Sequence, residues 1–429
     1  MRLKLPTKKT QRLVTSSPTK AVWPLDPAVT FLNHGSFGSC PLPVLEFQRE
    51  VRERMERQPV SFFVRDMEGL LDEARAKLAA FVGSAVEDLV FVPNATSGVN
   101  AVLRSLDFQP GDELLVTDHE YNACRNALDY VAQRSGAQVV VVKIPFPVPA
   151  TCSRRLETSA ATERRLQVAG TAEIISPVLA AVTPRTKLAL LDHVTSQTGL
   201  VLPIESLVRE LNARGVDTLV DGAHAPGMVP LNLTQLGAAY YTGNCHKWIC
   251  APKGAALLHV RRDRQARIRP LVISHGGNSQ RTNRSRFLIE FGWMGTGDPS
   301  AALAVPKAIE FIGSLRPGGW PEVMQHNREL ALAARRVLCS ALATPLPCPD
   351  ELIGSLASVP IPDATDLTPS KNPLYLDPLQ DRLLAEFGIE VPVIPWPAPP
   401  KRLLRISAQL YNSLPQYERL AEALKKLAK

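Results

Sequence analysis

Long apolar segments are absent from this sequence. No run approaches the roughly 20 apolar residues that a membrane-spanning helix needs, so a protein that does not enter a membrane is predicted. The contents of 45% hydrophobic and 21% charged residues are typical of a globular protein. A length of 429 residues exceeds what one hydrophobic core usually supports, which predicts two packed lobes.

Paired cysteines are also missing. The seven cysteines are scattered without CxxC spacing, which argues against a zinc ribbon, predicts no bound metal and is compatible with reduced thiols in a cytoplasmic protein. No RNA- or DNA-binding motif accompanies the net charge of +8. Because the basic residues are spread along the chain, we interpret them as a solvated surface and predict no nucleic-acid partner.

Acidic residues are absent from the first 25 positions, which contain six basic residues. This segment lacks the apolar core of a secretion signal. We interpret residues 1–25 as a disordered basic tail, with an organelle transit peptide as the alternative. A second weakly patterned stretch, residues 145–172, is interpreted as a surface insertion.

Short apolar runs alternate with helical patterns from residue 26 onward. Runs such as ELLVT, LALLD and DTLVD are separated by segments of helix length, which predicts an α/β fold with a mainly parallel sheet covered by helices. We assign this large domain to residues 26–305 and a smaller α+β domain to residues 306–429. In such a sheet, ligands bind at the carboxyl ends of the strands.

A lysine in residues 240–260 is the strongest candidate for covalent chemistry. Lys247 follows His246 in a turn of small residues between two predicted strands, and an upstream strand ends on Asp221 with His224 three residues later. Burial and nearby cations can lower the pKa of a lysine and free its amine as a nucleophile. A carboxylate at the end of a strand is where a pyridoxal phosphate (PLP) enzyme holds the pyridinium nitrogen. The pattern predicts a PLP site, and a solvated surface lysine is the alternative.

Two motifs around these residues resemble a known family. DGAHAPG at residues 221–227 and TGNCHKWICAPKG at residues 242–254 resemble the class V aminotransferase family of fold-type I PLP enzymes. FLNHGSFGSCP, GWMGTGDPS and LLRISAQLYNS are similar to its isopenicillin N epimerase-like subgroup. The resemblance covers nearly the whole chain from residue 30 onward. It implies the fold-type I architecture, one PLP per chain and a homodimer with shared active sites.

The resemblance also implies which residues contact the cofactor. Lys247 would hold PLP as a Schiff base, Asp221 would bind the ring nitrogen, and Tyr121 would stack on the ring and take part in catalysis. Glu120 and His119 are the alternatives for the stacking position. The full predicted cofactor set comprises Ala95, Thr96, Tyr121, Ser196, Asp221, His224, Asn244, His246, Lys247 and Thr296.

Three segments of this set have a predicted role in binding phosphate, and by resemblance one of them holds Asn244 and His246, just before Lys247. Ala95 and Thr96 follow the strand LVFV at the start of a predicted helix, where free backbone N–H groups form a seat for phosphate. Hydroxyl residues are also common helix caps, so this signal is weak alone. Thr296 lies in a glycine-flanked turn and by resemblance would reach the phosphate in the neighbouring subunit.

A carboxylate-bearing amino acid is the predicted substrate. Arg405 lies in an apolar strand, and its guanidinium group is suited to bidentate binding of a carboxylate. By resemblance Arg405 is the carboxylate clamp, whereas the nearby Arg402 is not. Asn33 and His34, in the FLNHGSFG motif, are further predicted substrate contacts.

The lack of a cysteine shortly before Arg405 restricts the reaction type. Cysteine desulfurases carry a nucleophilic cysteine shortly before the substrate arginine, but residues 388–402 are rich in proline and contain no cysteine. Because persulfide chemistry requires that thiolate, desulfurase activity is disfavoured. Amino acid epimerisation, with Lys247 exchanging the Cα proton, is the preferred hypothesis. A β-eliminating lyase of the cysteine desulfhydrase or selenocysteine lyase type is the alternative.

Overall fold

The computed structural model describes residues 20–149, 170–365 and 377–427. Most of the predicted tail and most of the predicted insertion at residues 145–172 lie outside the described residues. None of the described helices is both long and apolar enough to cross a membrane. The boundary between the two domains stays a prediction.

Twelve strands are present in the described residues. In chain order they are β1 (Thr30–Phe31), β2 (Leu89–Val92), β3 (Glu113–Thr117), β4 (Gln138–Val142), β5 (Thr186–Asp192), β6 (Asp217–Asp221), β7 (Tyr240–Asn244), β8 (Ala256–Val260), β9 (Leu356–Ile361), β10 (Ile389–Glu390), β11 (Val393–Pro395) and β12 (Arg402–Ser407).

The α-helices of the same ranges surround these strands. They are α1 (His34–Phe37), α2 (Leu42–Arg57), α3 (Pro59–Ser61), α4 (Met67–Val82), α5 (Ala95–Ser105), α6 (Asn122–Ser135), α7 (Ala172–Ala180), α8 (Ile204–Ala213), α9 (Leu233–Leu236), α10 (Arg286–Gly292), α11 (Ser300–Leu303), α12 (Val305–Ser314), α13 (Gly319–Ala341), α14 (Pro378–Phe387) and α15 (Leu414–Leu427). A π-helical segment, Phe62–Asp66, joins α3 to α4.

The central sheet has seven strands in the order β2-β8-β7-β6-β5-β3-β4. The five strands from β3 to β7 are mutually parallel, and β8 and β2 add an antiparallel edge. Alternate residues of β5 enter two different hydrophobic clusters, with Leu188 and Leu190 in one and Ala189 and Leu191 in the other. Because successive strand residues point to opposite faces, both faces are covered, as the continuous apolar runs predicted.

A second, smaller sheet confirms the predicted α+β character of the C-terminal region. β12 lies between β11 and β9 and is antiparallel to both. The helices α13 and α15 pack against each other, and α13 also packs on β9. The short β1 pairs with β10 in parallel, with Thr30 opposite Ile389. The segment after β1 is therefore held beside the C-terminal region, although it is distant from it in sequence.

Candidate active site

The turn after β7 places Lys247 at the carboxyl edge of the central sheet. The Lys247 carbonyl oxygen accepts a hydrogen bond from the Cys250 backbone N–H at 3.0 Å and lies 3.0 Å from Nε2 of His34. A second backbone bond runs from the Ala251 N–H to the Cys245 carbonyl oxygen at 3.0 Å. The backbone of the lysine is thus fixed from both sides of the turn.

The amine of Lys247 lies 2.9 Å from Nε2 of His224. The indole N–H of Trp248 lies 3.4 Å from Nδ1 of the same imidazole, and an indole N–H can only donate. Nδ1 is then the acceptor, so the proton of the neutral ring is at Nε2 and is donated to the lysine nitrogen. Such a bond requires a neutral amine with a free lone pair.

The electrostatic surroundings of Lys247 favour that neutral amine. Burial, followed by the positive charge of Arg405, lowers the pKa of Lys247 to about 7, while Asp221 and Cys124 act in the opposite direction. Burial is also the main cause of a pKa of His224 well below its ordinary value. A lysine with a pKa near neutrality has a substantial fraction of nucleophilic amine at neutral pH.

Asp221 ends β6 and is 2% exposed. One carboxyl oxygen, Oδ1, accepts the Ala223 backbone N–H at 2.9 Å. The other, Oδ2, accepts the Cys124 thiol at 3.0 Å. These bonds orient the carboxylate at the edge of the sheet, next to the turn that carries Lys247.

The N-terminus of α5 lies beside the same edge. Asn94 caps this helix by accepting the Ser97 N–H at 2.8 Å, and Asn244 accepts the Ala95 N–H at 2.9 Å. Gly98 permits the close approach of α5 to the sheet, because a Cβ there would lie 2.3 Å from Oγ1 of Thr242. The arrangement brings a helix N-terminus, with its positive end of the dipole, to the lysine turn.

His246 contributes a polar atom that lacks a partner. Its Nδ1 is buried and has no hydrogen bond to any other described residue. Burial, followed by the charges of Lys247 and Lys253, lowers the pKa of His246 to about 4. This nitrogen is therefore free to contact a ligand group.

Arg405 lies on β12 and is 4% exposed. Its Nη1 donates to the Ser196 carbonyl oxygen at 2.6 Å and lies 3.3 Å from the Ser196 hydroxyl, and its Nη2 donates to the Ser36 hydroxyl at 2.8 Å. Nε has no partner among the described residues. Burial lowers the pKa of Arg405 to about 10. A buried guanidinium group that has only neutral partners is a binding site for an anion.

The neighbouring Arg402 has a different role. It pairs with Asp377 at 3.0 Å and also donates to the Pro362 carbonyl oxygen. Since residues 402 and 405 have opposite parity on the same strand, their side chains point to opposite faces. Arg402 therefore forms a largely buried ion pair with Asp377 on the other face of β12.

The structure buries both Asn33 and His34. His34 is fully buried, and its two ring nitrogens contact the Tyr411 hydroxyl at 2.8 Å and the Lys247 carbonyl oxygen. These bonds leave neither nitrogen for a substrate, so the contacts favour a positioning role over the predicted substrate contact. Asn33 accepts the Ser36 hydroxyl at 2.5 Å, and it thus supports Arg405 indirectly.

The predicted position that stacks on the cofactor ring has three candidates, His119, Glu120 and Tyr121. His119 is buried between the Thr198 hydroxyl and the Ile144 carbonyl oxygen, which occupy both of its ring nitrogens. Glu120 is 5% exposed, whereas Tyr121 is 40% exposed. Burial and the nearby Cys124 and Asp221 raise the pKa of Tyr121, and Arg405 lowers it. Tyr121 therefore lies near both Asp221 and Arg405. Its predicted stacking on the cofactor ring stays a prediction.

Two further predicted cofactor residues are Ser196 and Thr296. Ser196 contacts Arg405 through its carbonyl oxygen and hydroxyl, and its predicted cofactor contact stays a prediction. Thr296 lies in an exposed turn next to Gly295, away from the contacts described above. That location is compatible with the predicted contact to a neighbouring subunit, which stays a prediction.

Several contacting residues were not selected from the sequence. Ser36 bridges Arg405 and Asn33, Cys124 binds Asp221, and Tyr411 binds His34. Ser36 and Tyr411 do lie inside motifs that carried the family resemblance, which is the available signal for them. Cys124 carried no signal, because a single cysteine in a helix usually behaves as a small apolar residue.

The residues at this edge fit PLP. Lys247 offers a neutral amine for an aldehyde, Asp221 offers a carboxylate for a pyridinium nitrogen, and the N-terminus of α5 offers donors for a phosphate. The unpaired Nδ1 of His246 and the unpaired Nε of Arg405 are the two buried atoms that a cofactor phosphate and a substrate carboxylate would satisfy.

Comparison with known proteins agrees with this fit. The profile of the family Aminotransferase class-V matches residues 44–359. The chain is 37% identical to an isopenicillin N epimerase of Amycolatopsis lactamdurans, over 94% of this chain and 96% of the relative. It is 30% identical to a probable chloroplastic L-cysteine desulfhydrase of Arabidopsis thaliana, over 94% of this chain and 84% of the relative.

A solved structure supports the fold. A mutant of C-DES with glycine covalently linked to its PLP cofactor superposes with a TM-score of 0.74 at 20% identity, covering 95% of this chain and 99% of the other. This match confirms the predicted α/β architecture of fold type I, and the family match confirms the predicted cofactor. The chain belongs to the class V aminotransferase family of PLP-dependent enzymes.

Proposed function

We propose that this enzyme epimerises a carboxylate-bearing amino acid by removing and returning its Cα proton. The observation that carries the proposal is the buried Arg405, whose partners are neutral, next to a lysine with a pKa of about 7. Arg405 would bind the substrate carboxylate. Lys247 would place a proton acceptor near the Cα that carries this carboxylate. The 37% identity to an isopenicillin N epimerase supports this choice of reaction.

PLP held at this site would supply an electron-withdrawing ring that makes the Cα proton of an amino acid acidic. Arg405 would hold the substrate carboxylate in a fixed orientation, with Ser36 and Ser196 fixing the guanidinium group. Lys247, displaced by the substrate, would accept the Cα proton as a neutral amine. His224 would keep that amine in place through Nε2.

Inversion requires a proton donor on the opposite face of Cα. Tyr121 is the proposed donor, because it precedes α6, is 40% exposed and lies near Asp221 and Arg405. A bound water molecule is the alternative. Return of the proton by Lys247 alone would give exchange with solvent without inversion.

A second candidate function is β-elimination of the cysteine desulfhydrase type. The 30% identity to a probable L-cysteine desulfhydrase favours it. Elimination would use the same Lys247 and Arg405, but it needs a substrate with a leaving group on Cβ. Persulfide transfer is not proposed, because residues 388–402 contain no cysteine.

The test is to incubate the PLP-loaded protein with a panel of amino acids and peptides in heavy water. Chiral separation and mass analysis would report inversion and deuterium at Cα, and separate assays would report sulfide, pyruvate and ammonia. Inversion with incorporation of one deuterium is expected for the true substrate. Sulfide with pyruvate and ammonia from cysteine, without inversion of any substrate, would replace the epimerase proposal by the lyase.

Lys247→Ala is the reference variant for this test. It should lose both deuterium incorporation and covalent attachment of the cofactor, which borohydride reduction followed by peptide mass analysis detects. Lys187→Ala, at a half-exposed lysine near the start of β5, is the matched control and should keep both. A labelled peptide other than the one containing Lys247 would assign the cofactor to a different lysine.

A further inference from the structure

Glu120 is a buried acid that the proposed reaction does not use. It follows β3, is 5% exposed, and neither of its carboxyl oxygens has a hydrogen-bond partner among the described residues. A carboxyl oxygen of Glu120, the Cys124 sulfur and a carboxyl oxygen of Asp221 all lie within 4.8 Å of one another. The unpaired acid is thus aimed at the group that would bind the pyridine nitrogen.

Three buried carboxyl groups meet at this point of the sheet. Glu120 follows β3, Asp192 ends β5 and Asp221 ends β6, and each is at most 5% exposed. Adjacent buried carboxyl groups cannot all be ionised, because burial and mutual repulsion both disfavour the charged form. The protons must therefore be held by those members that have the least favourable contacts with cations and donors.

Asp221 has the contacts of an ionised carboxylate. It accepts two hydrogen bonds, from the Ala223 N–H and the Cys124 thiol, and among the carboxyl groups it interacts most strongly with the Lys247 amine. Glu120 has the opposite surroundings. Burial, then the charges of Asp192 and Asp221, raise its pKa well above the ordinary value, and the partly exposed Arg125 offsets this only in part.

We propose that Glu120 is a positioning residue that stays protonated beside Asp221, so that Asp221 carries the negative charge that faces the ring nitrogen of the cofactor. The neutral acid adds a donor to the cluster without adding a second charge. Asp221 would then remain the anion that pairs with the pyridinium nitrogen. Both candidate reactions use the same cofactor, so the proposal holds or fails independently of the choice between epimerisation and elimination.

The protonation state of Glu120 is tested directly on the apoprotein by infrared difference spectroscopy in heavy water. Subtraction of the Glu120→Gln spectrum from the wild-type spectrum should show the carbonyl stretch of a protonated acid. Glu418→Gln, at an exposed glutamate on α15, is the matched control and should show only carboxylate bands. Carboxylate bands in the Glu120 difference would overturn the proposal.

The pH dependence of unfolding gives a second test without cofactor or substrate. A carboxyl whose pKa is raised in the folded state contributes stability that is present below its unfolded pKa and is lost as the pH rises through its folded pKa. Glu120→Gln has no carboxyl group at this position, so it does not lose this stability. The Tm of the variant minus the Tm of the wild type should therefore increase as the pH rises above the ordinary pKa of glutamate. A difference that is independent of pH would contradict a protonated Glu120.

The titratable and charged groups around Glu120 must be identical in the wild type and in Glu120→Gln. They are Asp192 from β5, Asp221 from β6, and Cys124 and Arg125 from α6. Asp192→Asn, compared in the same way, reports how much of the pH dependence comes from the second acid. An effect seen only with Asp192→Asn would assign the proton to that residue and overturn the proposal.

Cofactor affinity separates a hydrogen-bond donor from a space-filling side chain. Glu120→Gln keeps a neutral donor and should bind PLP within about threefold of the wild type, whereas Glu120→Ala should bind it roughly tenfold more weakly. Spectroscopic titration of apoprotein with PLP measures both. If Gln weakened binding as much as Ala, an ionised carboxylate would be required and the proposal would fail.

Discussion

At the residue scale, the chemistry depends on the pKa of one amine. Arg405 is the charged side chain that lowers the pKa of Lys247 most, after burial. The same guanidinium group is the proposed substrate clamp, so the clamp also prepares the lysine for reaction. Two predictions test these two roles separately.

The first residue-scale prediction concerns the pH dependence of cofactor attachment. Only the neutral amine reacts with an aldehyde, so the rate at which apoprotein binds PLP covalently should rise with pH and level off above a midpoint near 7. Arg405→Met removes a positive charge and should move this midpoint to higher pH. Stopped-flow absorbance measures it, and a midpoint unchanged by Arg405→Met would show that the charge has no effect on the amine.

The second residue-scale prediction concerns recognition of the substrate. Arg405→Lys replaces a planar fork by a single ammonium group and should weaken substrate binding by about 1.5–3 kcal/mol, with PLP affinity nearly unchanged. Initial-rate kinetics and PLP titration measure the two effects. Arg402→Lys, on the opposite face of β12, is the control and should change neither. Equal loss of PLP affinity in Arg405→Lys would assign that residue to the cofactor site.

At the element scale, the site depends on how closely α5 and the proline-rich segment approach the sheet. The helix reaches β7 because Gly98 has no side chain. The segment after β11 reaches the large domain through Trp396, whose ring is 4.5 Å from that of His119 in an edge-on arrangement. Each contact gives a prediction about one ligand.

Gly98→Ala should weaken the binding of PLP. The added Cβ would lie 2.3 Å from Thr242 Oγ1 and 2.9 Å from Thr242 Cβ, so the N-terminus of α5 must move away from the lysine turn. PLP titration and thermal unfolding should both show the loss. Gly69→Ala on α4 is the matched control, because a Cβ there has no atom within 4 Å and should stabilise the helix by about 0.5–1 kcal/mol. Wild-type affinity in Gly98→Ala would show that α5 does not hold the phosphate.

Trp396→Ala should affect the substrate and not the cofactor. The Trp396 backbone N–H donates to the Lys401 carbonyl oxygen at 2.9 Å, which closes the proline-rich turn before β12. Loss of the indole ring removes an aromatic contact and should raise KM by a factor of roughly 5, while PLP affinity stays the same. Steady-state kinetics on two substrates of different side-chain length measures the effect. An unchanged KM for both would place the segment outside the substrate pocket.

At the scale of the whole molecule, exposed apolar side chains favour the predicted homodimer. Val64 and Ile273 are 74% and 64% exposed, and Val64 lines a groove with Phe63 and Trp293. Trp293 lies close in sequence to Thr296, the residue predicted to reach a neighbouring site. Exposed apolar residues, and a groove lined in part by them, are typical of protein interfaces.

A charge placed on this surface should separate the subunits. Val64→Glu combined with Ile273→Glu is expected to shift the protein from dimer to monomer, because a carboxylate cannot be buried there without a partner. Light scattering after size-exclusion chromatography measures the mass, and PLP titration reports whether affinity falls as well. Leu346→Glu, at another exposed apolar position, is the control. A monomeric wild type would contradict the prediction.

The sequence alone determined the strand pattern and the cofactor, and it singled out one lysine as the candidate for attachment. Strands buried on both faces produce continuous apolar runs, and the motifs around Asp221 and Lys247 are local, so a single segment contains the signal. The family match over residues 44–359 confirms the predicted family. The roles of the individual site residues and the domain boundaries stay predictions.

Only the tertiary structure decided which side chains meet. Ser36 and Arg405 are 369 residues apart in sequence and share a hydrogen bond, and Cys124 and Asp221 are 97 apart. His34 was assigned to the substrate from its motif, but the folded chain turns its ring toward Tyr411 and the lysine turn. Local patterns specify strands and turns, whereas such long-range pairs depend on how separate elements pack against one another, which no local pattern encodes.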